Sequence, residues 1–406
     1  MVLDIKSIFT KNFINLSLNQ GVNVFATLIY TPLLFQTLGD ENYGLINLAF
    51  SLIIIVSIFV GYGYNLNGPI KVANAKNIHD KNLIVNNIIS LRIAIAFIII
   101  ILSFPIIYFI IEPNFQKILL FSLIILLNEA LNPLFLLQGL NKIFPQAVIN
   151  FFSKSIYVVL LYLFLGVNDA YLANFFYGLS ASIVVLLFWI RYYSTSKLSF
   201  KFYFTDIKNL LFENFILFLS SASTHFTLNS ALIILSFFTN DKELGRFTLA
   251  FKIAFLLRMV PVFFIQSALQ NASNLNNKSD EKFKKYISKY FKIGLYSSLV
   301  IVIICSLFSD SIIYLFAGEK INYSSEILTI LSFIPFLAML NFKNVVYILV
   351  NDLKTTLNTA TFGTLIFMIS SSIILCKLYG GYGLAYALLS TEIFSFLIHL
   401  YLINKR

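Results

Sequence analysis

The sequence is poor in everything from which soluble enzymes are usually made. Only 12% of its 406 residues are charged, against 59% that are hydrophobic, and it holds three histidines, two cysteines and one tryptophan. An ordinary soluble domain carries about 25% charged residues, so that class is excluded. With 18 acidic residues in the whole chain there is little material for a metal centre or a catalytic triad. There is no Gly-rich phosphate loop, so nothing points to ATP. Cys305 and Cys376 both lie in apolar runs. They read as small apolar fillers, not as a disulfide or a metal pair. The N-terminus lacks a signal peptide with a small-residue cleavage site, which makes the first apolar run an uncleaved anchor.

What the chain does have is hydrophobic length. A membrane span needs roughly 20 mostly apolar residues to cross about 30 Å of hydrocarbon. Twelve segments qualify: 12–37, 43–66, 88–111, 116–138, 145–166, 169–191, 211–238, 244–270, 288–309, 323–350, 355–377 and 380–403. The expected fold is therefore an all-α integral membrane protein with twelve transmembrane helices. The intervening loops leave no room for a soluble catalytic domain, and the chain is not expected to be an enzyme.

The net charge of +11 follows from topology. When alternate loops are assigned to opposite sides, 20 of the 29 Lys and Arg residues (Arg92 included) fall on one side and 5 on the other. The positive-inside rule places the larger group, and both termini, in the cytoplasm. A nucleic-acid partner is then not needed to explain the basic balance.

The second half also re-reads the first. LGDENYGLINLAF at 38–50 returns as TNDKELGRFTLAF at 239–251, and Asn12-Phe13-Ile14 returns as Asn214-Phe215-Ile216. Looser pairs follow in the same order. Two parallel repeats of a helical bundle are a common construction of secondary transporters, with the substrate site between the repeats. The expected division is a six-helix N-lobe at 1–191, a polar cytoplasmic linker at 192–210 and a pseudo-symmetric six-helix C-lobe at 211–406. Within 271–292, Phe283, Ile287 and Tyr290 fall at helical spacing among lysines. Such a segment either lies along an anionic leaflet or is a plain cytoplasmic basic stretch.

Polar residues inside the spans nominate a site. Asn12, Asn15, Asn19, Asn23 and Thr27 share one face of the first span. At an offset of 202, Asn19, Asn23 and Thr27 map to Ser221, His225 and Asn229 of span seven. Amides have no water partner in lipid, so both stripes face either a wet cleft or neighbouring helices. In-span charges cost roughly 2.5–3.5 kcal/mol and point to a partner or water. They are Glu129, Lys154, Lys252, Arg258, Lys343 and Glu392. Glu129 and Lys154 sit at equal depth, about 14 Å from the cytoplasmic ends of spans four and five, and are candidates for a coupling or structural ion pair. Lys252 and Arg258 are candidate cleft cations for an anionic ligand; Glu392 is the alternative partner of Arg258 and, with Glu129 and Lys154, a coupling or structural ion-pair candidate. Lys343 lies close enough to its span end to snorkel. Pro32, Pro105, Pro133, Pro261 and Pro335 lie inside spans and permit kinks.

Several of these pieces resemble the polysaccharide flippases that export O-antigen and capsule repeat units, within the superfamily of multidrug and oligosaccharidyl-lipid exporters. The carriers are Asn15, Gln20 and Asn23, then Pro32 and Leu38-Gly39 with Tyr43-Gly44. Further on come Gly61-Tyr62-Gly63-Tyr64-Asn65-Leu66, Gln138-Gly139-Leu140-Asn141-Lys142 and Phe218-Leu219-Ser220-Ser221. The resemblance implies a transporter for an undecaprenyl-pyrophosphate-linked oligosaccharide. It would move this from the cytoplasmic to the outer leaflet of a bacterial cytoplasmic membrane by alternating access. Coupling to H+ or Na+, no cofactor, and a polymerase and a chain-length regulator as partners beside membrane lipids are also implied. Many relatives carry an acid just before the element that closes span two. Here the residues are Val60-Gly61-Tyr62, so no coupling role carries over to that position. The alternatives are a cation-coupled multidrug exporter, which would favour an acidic cleft, and a membrane polymerase or ligase. The latter would want a long outward loop with Arg or His, whereas 310–322 holds Asp310, Glu319 and Lys320.

The charge asymmetry makes a direct prediction. In a variant lacking Cys305 and Cys376, single cysteines at Ser279 and Asn322 should label from opposite sides of the membrane. Labelling of both by an impermeant reagent from outside would contradict this topology.

Overall fold

In a computed structural model, the described residues are 2–196, 199–203, 207–276 and 280–405. Their side chains are described except at 2–19, 207–210, 220, 224, 228, 270, 274, 276 and 280. All regular structure among them is helical. The chain divides into two compact units, 1–225 and 226–406. The first holds α1 (Val2–Gly61), α2 (Tyr64–Ala73), α3 (Ile78–Ile110), α4 (Pro113–Ser122), α5 (Ile124–Leu131), α6 (Leu134–Gly139), α7 (Phe144–Phe164), α8 (Ala170–Ser196) and the start of α9 (Ile207–Ser236). The second holds the rest of α9, then α10 (Asp241–Leu257), α11 (Met259–Asn276), α12 (Asp280–Ala317), α13 (Asn322–Leu331), α14 (Ile334–Leu340), α15 (Phe342–Val350) and α16 (Lys354–Asn404).

The boundary at 225 falls inside span seven, which the sequence division assigned whole to the C-lobe. The reason is local. Asn67 donates to Asn214 Oδ1 at 2.9 Å, Lys71 pairs with Glu213 at 2.7 Å, and the Tyr62 ring stacks on Phe218 at 4.9 Å. Gly63, at φ +73°, allows this approach: a Cβ there would lie 2.9 Å from the Phe218 amide nitrogen.

Nine helices among the described residues are long and apolar enough to cross a membrane, or ten if the bent pair 211–227 and 229–236 counts as one span. The protein is a multi-pass membrane protein. Gln20–Ala73 and Lys354–Asn404 run for 54 and 51 residues. At about 1.5 Å per residue each is more than twice the hydrocarbon thickness. Each is broken near its middle, at Gly39 and Gly380 respectively. The twelve spans expected from the sequence require these two to be read as two crossings each. The outer faces carry bare aromatic and aliphatic side chains, such as Phe109 at 81% exposure. That is the surface a helix presents to lipid, not to water.

The prolines divide by their consequences. Pro32 and Pro105 lie within continuous helices, whereas Pro133, Pro261 and Pro335 sit at or just after breaks. The apolar side chains of the segment around 283–290 face protein. The segment forms the start of α12, and Phe283 and Ile287 are buried against Ala268, Ala272, Phe342 and Val346. Its apolar stripe is spent on protein contacts.

The break in α16 is clasped by a carboxylate. Glu243 Oε1 accepts from the Gly381 amide at 3.0 Å and from the Tyr323 hydroxyl at 2.8 Å. Gly380 itself has φ 54° and ψ −132°, a conformation closed to residues with a Cβ. Gly380→Ala should therefore cost about 1–3 kcal/mol. A fall of several degrees in the melting temperature of the detergent-solubilised protein is expected, and an unchanged temperature would contradict the assignment of this turn.

Candidate functional site

The first unit contains a buried polar cluster built around a broken helix. Between α5 and α6 the chain turns at Asn132-Pro133, and the carbonyls released there need partners because lipid offers none. Trp189 Nε1 donates to the Leu131 carbonyl at 2.7 Å, and Arg92 Nη1 lies 3.5 Å from that of Asn132. Arg92 is fully buried on α3. Its Nη2 donates to Asn65 Oδ1 at 2.9 Å, and its guanidinium stacks over Phe135 at 5.1 Å. Asn65 Nδ2 in turn donates to Glu129 Oε1 at 3.2 Å. One amide thus joins the buried cation to the carboxylate by presenting its acceptor to one and its donor to the other. His225 on α9 lies within electrostatic reach of Glu129.

A second cluster in the same unit surrounds Lys154 on α7. Its Nζ sits 3.5 Å from the centroid of the Tyr177 ring. Tyr177 makes an edge contact with Tyr157 at 5.4 Å, and Tyr157 makes another with Tyr30 at 5.3 Å. Thr27 donates to the Asn23 carbonyl at 2.8 Å and lies 3.1 Å from the Tyr30 hydroxyl. The expected Glu129–Lys154 ion pair is not formed. Equal depth did not bring the two together, because Glu129 turns toward Asn65 and Arg92 while Lys154 turns toward aromatic faces.

The second unit holds the Arg258–Glu392 ion pair. Both Nε and Nη2 of Arg258 lie 2.8 Å from Glu392 Oε1. The pair lines a cavity of about 70 Å³, walled by Thr227, Phe251, Thr364 and Thr391 among others. A cavity of this size holds a few waters, not a sugar. Ser395 extends the polar face by one turn, and there Asn341 lies 3.3 Å from its hydroxyl and 3.2 Å from His399 Nδ1. The role of alternative partner that the sequence left to Glu392 is the one seen, so Arg258 is not an uncompensated cation.

The remaining candidates are placed as follows. Asn12, Asn15 and Asn19 lie on α1, and their side chains fall outside the described residues. Ser221, His225 and Asn229 are half-buried on α9, which bends by 57° between Thr227 and Asn229. Lys252 is half-buried on α10. Lys343 sits 4.4 Å from the Phe291 ring. Sequence reasoning missed Arg92, which was counted with the cytoplasmic charges. The signal was available, since Arg92 lies inside the apolar run 88–111. It also missed Asn65 as a bridge, although Asn65 stands in one of the motifs that carry the resemblance. The tyrosines around Lys154 carried no signal, because they are three of 22 in the chain and stand on three different helices, α1, α7 and α8.

Comparison with known proteins places this geometry in context. A family profile described as "Polysaccharide biosynthesis protein" matches residues 9–270. A protein of Escherichia coli (strain K12) named "Putative O-antigen transporter" is 24% identical over 393 residues, covering 94% of this chain and 93% of its own. A protein of the same name from Shigella dysenteriae is 24% identical over 332 residues, covering 80% and 82%. Among solved structures, the lipid II flippase MurJ in an inward closed conformation superposes with a TM-score of 0.73 at 17% identity, covering 97% of this chain and 87% of that one. An inward-facing MATE family multidrug resistance transporter of the MOP superfamily gives 0.72 at 15% identity, covering 97% and 98%. At these identities the two structures share the fold with this chain.

The ion pair in the second unit yields a test. Removing one member leaves a charge in low dielectric, so Arg258→Ala or Glu392→Ala should each destabilise by up to about 3 kcal/mol, the lower edge of the range for fully buried pairs. The charge swap Arg258→Glu with Glu392→Arg should recover much of the loss. Melting temperatures of the four proteins check this, and additive losses in the swap would contradict the pairing.

Proposed function

The chain belongs to the polysaccharide biosynthesis protein family, and from that membership we propose that it moves a lipid-linked oligosaccharide across the bacterial cytoplasmic membrane. The observation that carries this reading is the match along 94% of the chain to a relative named for O-antigen transport. The body of apolar helices is consistent with it, since apolar spans supply a path through lipid and little else.

The physical need is clear. A sugar headgroup on a pyrophosphate cannot enter hydrocarbon unaided, because its hydroxyls and charges would lose their water. Asparagine, serine, threonine and tyrosine side chains inside the spans can replace those contacts, and lysine or arginine can neutralise phosphate. In this reading the cargo is an O-antigen or capsule repeat unit on undecaprenyl pyrophosphate. It passes from the cytoplasmic to the outer leaflet by alternating access. Both termini are cytoplasmic, on the strength of the basic asymmetry. An H+ or Na+ gradient drives the cycle, with Glu129 and Glu392 as the in-span carboxylates open to a coupling role. A polymerase and a chain-length regulator receive the product.

Deleting the gene in its host should abolish the surface polysaccharide and leave lipid-linked repeat units on the cytoplasmic side, with both effects reversed by a plasmid copy. A deletion strain that keeps its surface polysaccharide would contradict the proposal. One that displays single repeat units on its surface would instead indicate a polymerase.

A further inference from the structure

Lys154 is the eleventh of the 21 residues of α7, so it stands at the middle of that span, about 15 Å from either end. Among the described residues no carboxylate lies within ion-pairing distance of it. Its Nζ instead rests on the Tyr177 ring at 3.5 Å, with Tyr157 and Tyr30 continuing the aromatic wall. The hydroxyls of Tyr157 and Tyr177 make no hydrogen bond among the described residues. A half-buried ammonium with two uncommitted hydroxyl donors is the donor set for phosphate oxygens.

An apolar groove begins one turn farther along the same seam. It is lined by Ile29 and Leu33 of α1 and by Val158 and Tyr162 of α7, with a volume of about 400 Å³. Lys154, Val158 and Tyr162 follow at steps of four and therefore share one stripe of the helix. A phosphate-binding head and an apolar trough are thus joined in line.

We propose that Lys154, the tyrosines around it and this groove form a mid-membrane site for a polyprenyl pyrophosphate in transit. The inference rests on the transport reading and names the part of the cargo that this seam holds. Depth selects the occupant. The phosphate of a resident phospholipid stays with the headgroups, outside a hydrocarbon core of about 30 Å, beyond the reach of one lysine from the middle of α7. A lipid phosphate reaches this level only while crossing. The site also differs from the two arginines: Arg92 and Arg258 are already engaged by Asn65 and Glu392.

The test uses the purified full-length protein in detergent, with geranylgeranyl pyrophosphate as the probe and inorganic pyrophosphate and phosphatidylglycerol as comparators. Lys154→Gln should weaken binding of the probe by about tenfold or more, the loss of one charge-assisted contact. Lys154→Arg should stay within a few-fold of wild type. Val158→Asn should weaken the probe while leaving inorganic pyrophosphate unchanged. Melting temperatures within a few degrees of wild type establish that the variants are folded. Wild-type protein that does not bind the probe, or Lys154→Gln protein that binds it as well as wild type, overturns the site. Phosphatidylglycerol that competes as strongly as the probe assigns the seam to resident lipid and also overturns it. If the binding pattern holds while a deletion strain keeps its surface polysaccharide, the site stands and the transport reading fails.

Discussion

Hydrocarbon offers no hydrogen-bond partner, and this constraint shapes every polar feature of the protein. Wherever a helix breaks inside a span, the carbonyls it releases must be answered from within the chain. At Asn132-Pro133 the answer comes from Trp189 and Arg92; at Gly380-Gly381, where one crossing ends and the next begins, the freed group is the Gly381 amide, which donates to Glu243. Asn174 does the same between helices, donating to the Ile46 carbonyl at 2.8 Å and to Ser122 at 2.9 Å, so that α1, α4 and α8 are tied by one amide. Most of the polar side chains described in the spans have a structural partner. The side chains that lack one are correspondingly informative.

The cations illustrate this. Arg92 stands inside α3 and Arg258 at the break between α10 and α11, and both are met by acceptors on other helices. Planar guanidinium groups suit such fixed, multi-donor arrangements. Lys154 is met by aromatic faces, which attract a cation without neutralising it. A transporter of an anionic lipid needs some charge that is not already satisfied, and the lysine on α7 meets that description better than Arg258 at the break between α10 and α11.

Much of the architecture could be read from the sequence. Apolar length gave the membrane class, and the repeat at an offset of about 201 anticipated equivalent breaks: Gly39 interrupts α1, and Asn240 caps α10 where α9 has ended. The pairings inside the membrane were legible only in part. Counting residues from a span end gives depth, and by depth both Glu129–Lys154 and Arg258–Glu392 were reasonable pairs. Only the second exists, because pairing also depends on the direction each side chain faces around its helix. That direction is set by packing against other helices, through contacts such as Tyr193 to Asn86 that are distant in sequence. The fate of 283–290 has the same cause. Its periodicity marked an apolar face correctly, but not whether lipid or α15 would cover it.

The central claim is that this chain carries a lipid-linked oligosaccharide from one leaflet to the other. The most direct measurement reconstitutes the purified protein in vesicles that contain a fluorescent undecaprenyl-pyrophosphate-linked oligosaccharide. An impermeant quencher added outside then reports the fraction of label facing outward. With protein and an imposed ion gradient, that fraction should move away from the half seen in symmetric vesicles within minutes, and vesicles without protein should stay there. Vesicles with protein that remain indistinguishable from empty ones, under both H+ and Na+ gradients, would contradict the account.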